Sequence, residues 1–229
     1  MNRKRLFSFL ALTTFVVGLV AAGALQRWMS GSWHNEEVTV LLPPGLTASE
    51  LADELIQQMP DGGQRVVDHL IIRDWTTRLK PGRYTFPANE PVKQSAIRLV
   101  TGQREPVKVV IPSGRDVGPV AGATARRIFA DSIDVAELFM QDSMRWRIVP
   151  NTYEMWWETD VNGLAQRVLR EHAAWWNEDR LAAARALGLT PREVTVLASI
   201  VQAETAVIRE APQVAGLYLN RLKKGMALQ

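Results

Sequence analysis

One carboxylic acid stands out by its position in a helical pattern. When successive residues from Val194 to about Ile208 are set at roughly 100° intervals, as 3.6 residues per turn requires, Val194, Val196, Leu197, Ala198, Ile200, Val201, Val207 and Ile208 fill one broad arc. Thr195, Ser199, Gln202, Arg209 and Glu210 lie opposite. Glu204 falls inside the apolar arc, on the seam of Val194, Leu197, Val201 and Ile208, and is the one inward charge of the helix body. Glu193 shares that azimuth but belongs to the helix start. A carboxyl group so placed must be paired, hydrogen-bonded or protonated, because an isolated buried carboxylate is costly. Apolar burial favours the neutral form, and a proton retained near neutral pH is what a general acid needs. The same pattern also fits a structural glutamate paired with Arg209 or Arg221, or one at the mouth of a groove.

Other chemistry is weakly signalled. Trp156-Trp157 and Trp175-Trp176 are adjacent pairs among eight tryptophans; one ring of each could stack on sugar faces, or all could be ordinary core and surface aromatics. Arg115 could meet substrate carboxylates or be a solvated arginine. His34, His69 and His172 lack ligand spacing and there is no cysteine, so the sequence predicts no metal site, no other cofactor and no thiol chemistry. Serine-nucleophile, P-loop and dinucleotide motifs are missing from the sequence.

The helix carrying Glu204 has a strong start: Thr190 as N-cap, Pro191 at the first position and Glu193 at the third. Upstream, Val38-Thr39-Val40-Leu41-Leu42-Pro43-Pro44-Gly45 is echoed by Val107-Lys108-Val109-Val110-Ile111-Pro112-Ser113-Gly114. Each reads as a short strand, a Pro/Gly turn and then a helix, the first helix opened by a Thr47/Glu50 capping box. Between them, Leu79 to Phe86 reads as a turn entering a strand, and a helix from about Pro91 to Val100 ends at Gly102. From Ser132 onward the chain reads as mostly helical, with Gly188 closing a helix after Leu187.

The N-terminus predicts location. Leu6 to Leu25 carries no charge and follows Arg3-Lys4-Arg5. At about 1.5 Å per residue it is long enough for a bilayer core of roughly 30 Å, with the N-terminus cytoplasmic and Trp28 and Trp33 in an interfacial belt. A cleaved signal peptide is the competing reading, although its apolar core usually spans about 7–15 residues. Of 27 basic residues, Arg3, Lys4, Arg5 and Arg27 flank this run, which leaves 23 against 24 acidic ones. A body with a balance of −1 has no electrostatic footprint for nucleic acid.

Leu197-Ala198-Ser199-Ile200-Val201-Gln202-Ala203-Glu204-Thr205-Ala206, then Asn220-Arg221-Leu222 and Gly225-Met226-Ala227-Leu228-Gln229, closely resemble the endolytic murein transglycosylase (MltG/YceG-like) family. Pro150-Asn151-Thr152-Tyr153 is similar to a further segment of that family, whereas Arg145-Trp146 stand where many members have Glu-Gly. The resemblance implies an α+β fold: a cytoplasmic tail (1–5), a transmembrane helix (6–25), a linker (26–36), a small LysM-like α/β module (37–105) and a mainly helical catalytic domain (106–229), incomplete at its C-terminus. It implies that Glu204 is the catalytic acid and that Asn151, Thr152, Tyr153, Asn220 and Gln229 contact substrate. The implied reaction cleaves the MurNAc–GlcNAc bond of nascent glycan and leaves a 1,6-anhydro end. Implied partners are peptidoglycan strands, the inner membrane and peptidoglycan synthases, with the catalytic part periplasmic. Because members continue further, the resemblance also implies a truncated chain, weakly active or inactive and unstable around its last two helices. The alternative is a non-catalytic, membrane-anchored wall-binding or division-scaffold protein.

Overall fold

A computed structural model describes residues 3–60 and 62–227, with side chains described for 12–28, 31–60 and 62–227. The chain divides into two compact units, residues 1–107 with 154–158, and residues 108–153 with 159–229.

The first unit opens with helix α1 (Arg3–Ser30), followed by β1 (Val38–Leu42), α2 (Ala48–Gln58), α3 (Gly63–Ile72), a 3-10 turn (Thr76–Arg78), β2 (Gly82–Phe86) and α4 (Val92–Thr101). Strands β1 and β2 pair antiparallel, with Val40 opposite Tyr84 and Val38 opposite Phe86. Alternation along β2 buries Gly82, Tyr84 and Phe86, and the two rings meet Leu55 of α2, Leu70 of α3 and Leu99 of α4 in one continuous core. The predicted capping box forms: Thr47 accepts from the Glu50 amide while the Glu50 carboxylate accepts from the Thr47 amide at 2.7 Å. Gly102 ends α4 at φ 71°, a left-handed conformation that glycine adopts without steric cost.

The expected transmembrane helix is corrected. Among the described residues no helix is long and apolar enough to cross a membrane. Residues 6–11 of the expected span lie outside the residues whose side chains are described. A single-pass inner-membrane location with a cytoplasmic N-terminus is therefore not supported. The interfacial role expected of Trp33 is overturned as well. Its ring is 5% exposed, and its Nε1 donates to Ser95 Oγ at 2.8 Å, which in turn donates to Glu90 at 2.8 Å. Arg98 closes that buried chain on Glu90 at 2.7 Å. An indole N–H needs such a partner once it leaves water.

Strand β3 (Pro106–Ile111) carries the chain from the first unit into the second, which contains α5 (Val117–Ala125), α6 (Ser132–Met140), a short α7 (Asp142–Arg145), α8 (Val161–Trp175), α9 (Glu178–Leu187), α10 (Pro191–Glu204) and α11 (Ala211–Lys223). Strand β4 (Asn151–Trp156) pairs with β3; the expectation of helix from Ser132 onward missed it. The residues carry the strand signal, since Tyr153 and Met155 alternate inward against exposed Thr152 and Glu154.

Candidate functional site

Helix α10 begins as its residues demand. Thr190 accepts from the Glu193 amide, Glu193 accepts from the Thr190 amide at 2.7 Å, and Pro191 occupies the first turn where no amide is needed. Its end departs from expectation. The helix stops at Glu204, with Thr205 extended at φ −140° and ψ 135°. There the Thr205 hydroxyl donates to Glu210 at 2.9 Å and accepts from the Val207 amide at 3.0 Å. Such a local side-chain turn gives the backbone an alternative to another helical turn.

This early end removes Val207 and Ile208 from the apolar arc and leaves them 44% and 89% exposed. Glu204, the last helical residue, is consequently exposed rather than buried. It is not clamped by an arginine: among the described residues neither Arg209 nor Arg221 forms an ion pair with it. Its neighbour is Tyr218 of α11, close enough for the Glu204 charge to act on the phenol. Tyr218 is 5% exposed and packs with Leu197 and Val201 of α10. Burial first, then the neighbouring Glu204 carboxylate, pushes its phenol above the ordinary tyrosine range. Residue types alone gave no sign of Tyr218; the signal was its place on the inward face of α11 with Val214 and Ala215.

A groove of about 1260 Å³ lies within the second unit. Its walls come from the turn Pro112–Arg115, α7, the segment Trp146–Pro150, the end of α8, and α9 and α10. Both members of the Trp175-Trp176 pair line it, as do Trp146 and His172. Trp146 and His172 meet edge-on at 4.9 Å. The His172 Nε2 is shielded from solvent without a hydrogen-bond partner among the described residues, and burial, with a smaller contribution from Arg147, lowers its pKa. Gln202 and Ala203 line the groove, and Glu204 follows them directly. Thus the acid sits next to the groove in sequence, although its own side chain is not part of the lining. The other tryptophan pair belongs to the first unit, where Arg104 lies 4.9 Å over the Trp156 ring and pairs with Glu158.

The remaining expected contacts are scattered. Asn151 and Thr152 are exposed at the start of β4, and the Asn151 side chain accepts from the Thr152 amide at 2.8 Å. Tyr153 is buried at 4% exposure, its hydroxyl donates to the Val149 carbonyl, and Arg167 lies 5.5 Å over its ring. Its environment is that of a packing residue. Asn220 is exposed on α11, and Gln229 lies outside the described residues. Among the described residues no cluster of histidine and carboxylates could hold a metal ion.

Comparison with known proteins extends these observations. No curated protein matches the chain. Among solved structures, a YceG-like protein from Listeria monocytogenes aligns over 85% of this chain and 73% of its own, at 18% identity and a TM-score of 0.45. The YceG-like family matches residues 38–229, well over half of the sequence and including both the groove and Glu204. The chain belongs to the YceG-like family.

Proposed function

We propose that this chain is a peptidoglycan lytic transglycosylase of endolytic type, with Glu204 as its acid and then its base. The observation that carries the reading is an unclamped carboxylate at the end of α10, beside Tyr218 and directly following two residues of a tryptophan-lined groove. Membership of the YceG-like family, which is associated with murein transglycosylases, supports it.

In this reading a glycan strand lies along the groove and covers Glu204. A covering sugar removes water from the carboxyl and disfavours its charged form. Glu204 donates its proton to the glycosidic oxygen as the C1–O bond of MurNAc breaks. The MurNAc 6-hydroxyl then attacks C1 and gives its proton to the Glu204 carboxylate, which restores the acid. The product ends in a 1,6-anhydro ring. No water is consumed, so the second carboxylate that activates water or attacks C1 in ordinary glycosidases is not required. Tyr218 positions the carboxylate. Asn151, Thr152 and Asn220 are proposed substrate contacts, and the first unit, from about residue 37 to 105, a LysM-like glycan-binding module.

The test is mass spectrometry of sacculi digested with the protein. Wild type should release anhydro-MurNAc products, and Glu204→Gln, which keeps shape but has no proton to transfer, should reduce them by about 10²-fold or more. Undiminished product from the variant would end this assignment of Glu204.

A further inference from the structure

Resting on the glycan reading above, we propose that the groove selects saccharide that carries carboxylates, and that Arg115 and Arg145 are the groups that receive them. The charge of the lining is lopsided: Arg115, Arg145, Arg180 and Arg192 face one acid, Asp142. Two of the four arginines are engaged within the protein. Arg192 pairs with Asp142 at 3.0 Å. Arg180 donates to the Trp175 carbonyl at 2.6 Å and lies 3.9 Å from the centre of the Trp175 ring. Arg115 and Arg145 are exposed and form no ion pair among the described residues.

Two open guanidinium groups in a concave, tryptophan-rich wall have a specific chemical meaning. A neutral pyranose needs apolar faces for its C–H groups and scattered partners for its hydroxyls, but no net charge. A guanidinium offers paired donors in a plane that match the two oxygens of a carboxylate, and a groove walled by protein concentrates the field of its charges. Trp175 supplies the complementary element: Arg180 covers one face of its ring, while the residue stays 47% exposed, which leaves indole surface for a sugar. The ligand is therefore an anionic glycan. Its carboxylate comes either from the acid ether on the sugar or from an attached peptide.

Calorimetric titration of the full chain separates these possibilities. The probes are three soluble oligosaccharides of matched length: neutral chitooligosaccharide, peptide-free glycan that keeps its lactyl acids, and peptide-bearing glycan. Carboxylate-bearing glycan should bind at least about tenfold tighter than the neutral probe, the scale of one charge-assisted contact. Arg115→Gln combined with Arg145→Gln should remove that preference while the neutral probe binds as before, which also reports an intact fold. Arg126→Gln with Arg127→Gln, an equal loss of charge outside the groove lining, should leave it. Full preference for peptide-free glycan identifies the sugar-borne acid as the recognised group; preference confined to peptide-bearing strands identifies the peptide's. Equal affinity of wild type for neutral and charged probes overturns the inference, as does a preference that survives the groove substitutions or is lost in the control pair. Anhydro products without any such preference leave the transglycosylase reading standing, and preference without anhydro products does the reverse.

Discussion

The two ends of the described chain are built to different standards. In the first unit, seventeen buried apolar residues from Trp33 to Val100 form one cluster drawn from two strands, three helices and the turns beside them. Around α10 and α11 only Leu197, Val201 and Tyr218 are buried together, with half-buried Ile200, Val214 and Leu219 around them. Dispersion and apolar burial scale with how much each side chain is enclosed, so the first region is rigid scaffold and the second is lightly held. The candidate catalytic acid belongs to the second. Regions that bind and release ligands are drawn from the low-stability part of a fold, and the proposed role of Glu204 requires a carboxyl that a glycan can reach.

The largest expected effect that sharpens this contrast is on stability. Leu99 is fully buried, whereas Leu197 is 8% exposed in a small cluster. Leu99→Ala should cost about 4 kcal/mol and Leu197→Ala about 2 kcal/mol, measured by urea unfolding with probes in each unit. Equal costs would erase the distinction.

A smaller effect concerns acid sensitivity within the well-packed unit. His69 is fully buried, with both ring nitrogens unpartnered among the described residues. Burial, reinforced by Arg73 and Lys93, lowers its pKa. The unfolded chain, with an ordinary histidine pKa of about 6.5, therefore binds the proton more readily than the folded one. Stability contributed by neutral His69 is complete above that value and falls as pH drops below it. His69→Leu should flatten that decline in pH-dependent unfolding; an unchanged slope would place the acid sensitivity elsewhere.

The smallest effect reports on the lightly held region. Tyr218 titrates above the usual range, partly because of Glu204. In Glu204→Gln the charge disappears, and the Tyr218 phenol should titrate at lower pH while Tyr84 and Tyr153 do not move. Resonance-resolved titration of the three tyrosines measures this, and an unmoved Tyr218 would deny the contact.

The sequence carried the scaffold better than the site. Thr47 with Glu50 and Thr190 with Glu193 declare helix starts through residue types that satisfy free amides, and Gly102 and Gly188 declare ends through a conformation other residues avoid. The end of α10 carries no glycine or proline. It depends on the Thr205 hydroxyl finding Glu210 and the Val207 amide, a competition between local hydrogen bonds that periodicity does not register. Periodicity carries Val207 and Ile208 into the helix and buries Glu204, whereas the fold exposes it. The groove was half legible. Trp175, Trp176 and Arg115 were readable candidates, but the convergence of Trp146, Arg145 and Arg180 on them depends on tertiary packing of separate helices.

The proposed reaction cuts glycan without water, through one acid. Digestion of sacculi in water enriched with heavy oxygen tests it most directly. Product ends should be one water lighter than hydrolysis products and contain none of the solvent label. Labelled reducing ends, made in proportion to the enzyme added, would show a hydrolase and contradict it.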